Sequence, residues 1–206
     1  MTFPEKKYAE VRPFAEDYFR RLRDAASSVD RAKLSEAAAV LDEAYRNGAT
    51  LFVCGNGGSA ATADSFVCDH GKLIRTGTEI LPRVVSLSAN GPMVTAIAND
   101  MSYDDIFVFQ LSGQARKGDV LLTISASGNS ENVVRAADWA RNNGVKVIAF
   151  TGFKGGRTAK LAAVNVHVEA YNYGIVEDVH QSLMHILAQY VRQKYMPERE
   201  IAEAKF

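Results

Sequence analysis

Cysteine is scarce in this chain of 206 residues. Only Cys54 and Cys68 are present, which is neither the count of a disulfide framework nor the spacing of a zinc-ligand set. Cys54 closes an apolar run and reads as a small core residue. Excess charge is missing as well. Lys and Arg number 24 and Asp and Glu number 24, so no net charge draws the chain to nucleic acid or to an anionic membrane surface, and neither is expected as a partner. No apolar run approaches membrane-spanning length. The start, Met-Thr-Phe-Pro-Glu-Lys-Lys, has none of the apolar stretch of a signal peptide, so a cytoplasmic protein is expected. Internal repeats, low-complexity segments and interdomain linkers are also lacking. One domain over residues 1–206 is the expectation, with a hydrophobic content of 47% that suffices for a proper core.

What is present is organised around Leu51-Phe-Val-Cys-Gly-Asn-Gly-Gly-Ser-Ala60. Leu51 to Cys54 has the length and apolarity of a buried strand. Gly55, Gly57 and Gly58 break it, and Ser59 suits the N-cap of a helix running on to about Ile74. A strand that enters a glycine turn and leaves as a helix aims free N–H groups and a helix dipole into that turn. Such a turn binds anions, and phosphate is the anion expected here.

Upstream, residues Lys6 to Ala26 and Asp30 to Asn47 predict two amphipathic helices, the second capped by Asp30 and stopped by Gly48. They form a candidate hairpin over residues 1–48. Phe14, Tyr18 and Phe19 exceed the needs of one helix face, which points either to a partner subunit or to the chain's own sheet. Downstream, strands are predicted at Arg83–Ser88, Asp119–Ile124, Val145–Phe150 and Val164–Val168, the last at an edge. Helices are predicted over Gly91–Asn99, Tyr103–Ala115, Ser130–Asn143, Arg157–Ala162 and Val176–Tyr195. Uninterrupted apolar strands alternating with helices predict an α/β fold, a doubly wound five-stranded parallel sheet over residues 49–196.

The third strand ends in Ser125-Ala-Ser-Gly-Asn-Ser130, three hydroxyls and a glycine ahead of another helix. Ligands of a doubly wound sheet bind outside the carboxyl ends of its strands, where both polar loops lie. Hydroxyls and backbone N–H groups can hold a phosphate there without lysine or arginine. Gly55-x-Gly57-x-x-Ala60 also fits a relaxed dinucleotide fingerprint, but Arg83–Ser88 is followed by Ala89-Asn90, with no acid for a ribose. A Gly-x-x-x-x-Gly-Lys loop is absent too, so no nucleotide cofactor is expected.

Gly-Asn-Gly-Gly-Ser at 55–59, Ala98-Asn99-Asp100, Ser125-Ala-Ser-Gly-Asn-Ser130 and Thr151-Gly152 with Gly155-Gly156, in this order from about Ala32 to Tyr195, resemble the sugar isomerase (SIS) domain family. The resemblance is to the branch that isomerises a seven-carbon ketose phosphate, sedoheptulose 7-phosphate, to the glycero-manno-heptose 7-phosphate through an enediol. It implies a flavodoxin-like sheet and a homotetramer whose N-terminal helices take part in assembly. It also implies phosphate contacts from Gly57, Gly58, Ser59, Ser125, Ser127 and Ser130, with Asn56, Asn99 and Asp100 toward the sugar hydroxyls.

The isomerisation needs an acid/base pair about one sugar length from the phosphate. Ser65 and Asp69 share a helix face; the family has histidine and glutamate there, and the acid is the base, so Asp69 takes that role. Glu177 and His185 are two turns apart on one face; the family has glutamine and histidine, so His185 is the acid and Glu177 an assistant or alternative base. Asp69, Glu177, His185 and His180 are the candidate donors for a divalent metal such as zinc, since Glu-x-x-His can ligate metal. Ala126 stands where the family has a threonine. Each candidate has a structural alternative: His185 as a core histidine, Asp69 as a partner of Lys72, Glu177 as a first-turn acid on a helix dipole. His167 is expected to be exposed. Loss of the histidine at position 65 fits a second reading, a non-catalytic phosphosugar sensor or adaptor of the same family.

Overall fold

The computed structural model describes residues 2–206. Its centre is a five-stranded, all-parallel sheet in the order β2-β1-β3-β4-β5. The strands are β1 (Thr50–Gly55), β2 (Arg83–Ser86), β3 (Val120–Ser125), β4 (Lys146–Thr151) and β5 (Val164–His167). Their register pairs Leu51 with Val84 and Val120, and Ile148 with Leu122 and Val164. This is the doubly wound flavodoxin-type order, with the polar loops after β1 and β3 on adjacent central strands.

Side-chain alternation divides the core into two layers. Leu51, Val53, Leu122, Ile124, Ile148 and Phe150 face one way. They pack with α2 (Arg31–Arg46), α3 (Gly58–Cys68) and α8 (Tyr173–Tyr195), while α1 (Val11–Ser28) lies outside against α8. Phe52, Cys54, Leu121 and Val147 face the other way. They pack with α4 (Gly91–Asp100), α5 (Ile106–Gln114) and α6 (Glu131–Asn142). Short α7 (Gly156–Leu161) joins β4 to β5, and α9 (Glu198–Ile201) follows α8. The buried Asp119 carboxylate binds β1 to β3 at their entry, accepting from Thr50 N at 2.7 Å and Arg116 N at 2.8 Å.

Several boundaries differ from the sequence expectation, each for a local reason. Helix α1 starts at Val11, not Lys6, because the segment before it folds back. Phe3 is buried there against Phe14 and Tyr18, with ring centroids 5.0 and 5.9 Å apart. Two of the three surplus aromatics are therefore used within the chain, and Phe19 remains 66% exposed. Helix α3 opens at Gly58 with Gly57 as its cap at φ +56°, a conformation glycine adopts without a Cβ penalty. Ser59 is its second residue and is buried rather than capping. The α-helix stops at Cys68 and continues as a π-helical turn, Asp69–Leu73. The expected α5 begins with a 3₁₀ turn, Tyr103–Asp105. Helix α8 starts three residues early because Asn172 Oδ1 accepts from Ile175 N at 3.0 Å and caps it.

Candidate active site

The β1 and β3 loops meet at the carboxyl edge of the sheet around a cavity of about 110 Å³. Ser59, Ser125, Ser127 and Ser130 line it, together with Asn56, Ala126, Tyr173 and Glu177. Ser59 is held by the first turn of α3 and Ser130 by the N-cap position of α6, so two helix N-termini converge on one small space. Such termini carry unsatisfied N–H groups and partial positive charge. The Ser125 hydroxyl accepts from Gly128 N at 3.1 Å and the Ser127 hydroxyl from Asn129 N at 3.3 Å. Both bonds use an acceptor lone pair and leave the hydroxyl proton for a ligand. The cavity has room for a phosphate but not for a whole sugar phosphate, so the remainder of a phosphorylated ligand must extend out of it.

Asn56 is anchored rather than free. It exchanges two hydrogen bonds with Asn132, at 2.9 and 3.0 Å, and its Oδ1 also accepts from the Tyr103 hydroxyl at 3.0 Å. These bonds tie the glycine turn to the start of α6. Asn99 and Asp100 bond to each other at 2.7 Å at the end of α4, and neither lines the cavity.

The acid/base candidates arrive from α3 and α8. Glu177 lies on the first turns of α8, with its carboxylate against Gly58. A Cβ at Gly58 would strike both carboxylate oxygens, so glycine is required for this approach. Burial, with the neighbouring Asp178 charge second, pushes the Glu177 carboxyl above its ordinary value. Two turns further on, roughly 12 Å by the helix rise, His185 meets Asp69. His185 Nδ1 lies 2.8 Å from Asp69 Oδ2 across 116 residues of sequence. A carboxylate only accepts, so Nδ1 carries the proton and Nε2 is the nitrogen left free of Asp69. Asp69 is thereby paired with His185 and not with Lys72, and His185 is a half-exposed surface group rather than a core histidine. Asp69 opens the π-helical turn, a local underwinding that recurs at functional positions.

His180 does not join this pair. It is fully buried on the opposite side of α8 beside Phe150, with Nε2 3.2 Å from the Thr151 carbonyl. Burial depresses it to about 4. The Ser65 hydroxyl is turned back onto the Ala61 carbonyl at 3.0 Å. Among the described residues no three His, Cys, Asp or Glu side chains converge as a metal site. The expected donors thus reduce to Asp69 and His185, and the set does not fit a metal within one chain. His167 is half-buried and bonded to the Thr151 hydroxyl at 3.0 Å, not simply exposed; burial lowers its pKa.

Three site residues escaped the sequence reading. Tyr173 was placed ahead of the helix it begins. Asn132 gave no signal before the Asn56 pairing was visible. Gln181 lies four residues from both Glu177 and His185, a spacing that the sequence did display.

Fold, paired serine loops and an Asp–His pair beyond them define a protein of the sugar-phosphate-handling α/β class. The description SIS domain matches residues 16–152, and the chain belongs to that family. A phosphoheptose isomerase of Mycobacterium tuberculosis (strain ATCC 25177 / H37Ra) is 40% identical over 178 residues, covering 83% of this chain and 88% of the relative. One from Rhodospirillum rubrum is 37% identical over 182 residues, 86% of this chain and 93% of its own. The solved structure of phosphoheptose isomerase GmhA from Neisseria gonorrhoeae superposes with a TM-score of 0.80 at 30% identity, over 89% of this chain and 97% of that one.

Proposed function

We propose that the protein is an aldose–ketose isomerase of the phosphoheptose isomerase type, interconverting sedoheptulose 7-phosphate and the glycero-manno-heptose 7-phosphate. The observation that carries this reading is the Asp69–His185 pair, placed two helical turns from a phosphate-sized cavity along one face of α8. The phosphate enters the cavity on Ser59, Ser125, Ser127 and Ser130 and the N-termini of α3 and α6. The carbon chain then runs outward along α8 past Glu177 to the acid/base pair. Asp69 Oδ2 holds the imidazole, and Oδ1 is the oxygen that takes the C1 proton of the ketose. Loss of the C1 proton leaves an enediolate charged at O2; the His185 Nε2 lone pair takes the O1 proton and passes it to O2, and the proton held on Asp69 is then delivered to C2 as the C1 aldehyde forms. Glu177, with its raised pKa, is the alternative base at the phosphate end.

Asp69 and His185 would be the first two ligands of any zinc ion, while Glu177 and His180 stand elsewhere, so the steps above rest on the side chains alone. A homotetramer in the cytoplasm, with α1 and α2 in its interfaces, suits the exposed Phe19, and the exposed Ile186 and Tyr190 on α8 beside α2. No helix among the described residues is long and apolar enough to cross a membrane. A sensor or adaptor would need the serine loops but has no use for an imidazole held by a carboxylate at sugar distance.

Incubation with sedoheptulose 7-phosphate in deuterated water, followed by proton NMR, tests the reading. Aldose signals with deuterium at C2 are expected, and the same reaction run with EDTA and with added zinc tests whether Asp69 and His185 take up a metal. Ligand-dependent stabilisation without deuterium exchange would sink the isomerase in favour of the sensor.

A further inference from the structure

Gln181 stands midway between Glu177 and His185 on the same face of α8, half-buried, one turn from each, about 6 Å along the helix. Its side-chain Nε2 lies 3.2 Å from His185 Nε2. The other ring nitrogen is already claimed, because Asp69 can only accept and so fixes the proton on Nδ1. The His185 Nε2 therefore presents a lone pair, and the Gln181 amide donates to it. The two contacts are complementary: Asp69 sets the tautomer and Gln181 covers the atom that tautomer leaves basic.

We propose that Gln181 is a positioning residue of the isomerase reaction, holding the His185 Nε2 lone pair in the free enzyme and yielding it to a hydroxyl of the bound sugar. This rests on the isomerase reading given above. A sugar whose phosphate fills the serine cavity must pass Gln181 to reach His185, because the three side chains form one line along α8. The amide N–H occupies the place of a substrate O–H donor. When the sugar hydroxyl replaces it, the displaced amide is one turn from the ring and within reach of the neighbouring sugar oxygens. The resting contact also keeps a half-exposed imidazole in a single rotamer, aligned before substrate arrives.

Two variants of the full chain test this. Gln181→Leu removes the donor with little change of volume, and Gln181→Glu keeps the shape but substitutes an acceptor. In the free protein at fixed pH, nitrogen-15 NMR of the His185 ring is expected to keep Nδ1 protonated in Gln181→Leu while the Nε2 signal moves to that of an unbonded lone pair. Gln181→Glu also lacks the amide donor and is expected to shift the Nε2 signal away from that of the unsubstituted protein. With sedoheptulose 7-phosphate, kcat of Gln181→Leu is expected to fall about tenfold, below the loss for an acid or base itself. Affinity for inorganic phosphate and the melting temperature should be unchanged. An Nε2 signal identical in all three proteins, or an unaltered kcat in Gln181→Leu, would overturn the proposal. Absence of turnover in the unsubstituted protein would sink the parent reading alone, since the ring-nitrogen signals still decide the Gln181 contact.

Discussion

At the scale of single residues, the proposed chemistry rests on one long-range contact, Asp69 with His185. Replacing His185 by Gln keeps a side chain of comparable reach that can still donate to Asp69, but removes the group able to accept and return a proton near neutral pH. Turnover of sedoheptulose 7-phosphate should fall on the order of 10²- to 10⁴-fold, the usual worth of a positioned acid or base. Binding of inorganic phosphate, measured by calorimetry, should be unaffected because the serine cavity lies two helical turns away. A variant that retains full turnover removes His185 from the reaction. The residues in this argument differ in how legible they were. Asp69 and His185 could be singled out because each sits at a family position and faces along a helix with the right period. Glu177 could be named, but not its place against Gly58, which depends on how α8 crosses α3. The Asn56–Asn132 pair was invisible, since a hydrogen bond across 76 residues leaves no local trace.

At the scale of elements, the strands were the most readable parts. Leu51–Cys54 and Val120–Leu122 are apolar without interruption because both faces of a parallel sheet are covered. Helix ends were less readable, and α8 explains why. Tyr173 and Gly174 have poor helix propensity, so an apolar stripe counted from Val176 misses the first turn. The Asn172 side chain sets the true start by accepting from Ile175 N, and its Nδ2 donates at 2.9 Å to the Phe3 carbonyl. One side chain therefore starts the helix that carries Glu177, Gln181 and His185 and also pins the N-terminal segment to it. Asn172→Ala should lower stability by about 1–2 kcal/mol through the lost cap and the lost tether. Urea unfolding measures the first loss. The second should appear as faster proteolytic cleavage ahead of Val11 than in the parent chain. A variant equal to the parent in both assays would assign the start of α8 to packing alone. The break of α3 into a π-helical turn at Asp69 had no comparable signal, because Asp69-His-Gly-Lys-Leu73 holds no proline or cap that would separate it from continuous helix.

At the scale of the whole molecule, two buried histidines link stability to pH. His70 lies on the π-helical turn, stacked on Phe66, with Nδ1 2.7 Å from the Tyr45 hydroxyl, and His180 lies on the buried face of α8 beside Phe150. Burial dominates both, outweighing the Met184 and Thr151 carbonyls that favour the charged ring, and it depresses each to about 4 from the ordinary 6.5. The unfolded chain therefore binds a proton at each histidine that the folded chain refuses between pH 6.5 and 4. Stability is full above 6.5, falls as the pH drops through this window, and loses nothing further from these groups below 4. Each site contributes a slope of about 1.4 kcal/mol per pH unit within it, so the pair accounts for on the order of 3 kcal/mol per unit. Unfolding free energies from urea titrations at pH 7, 6 and 5 should follow that slope, and His70→Leu should remove about half of it while leaving the His180 share in place. A flat profile from pH 7 to 5 would mean that both rings acquire charge in the folded state, which their burial forbids. The acid/base pair at the surface is separated from this behaviour: the same sheet and helices keep two histidines neutral in the core and present a third, His185, to solvent beside Asp69.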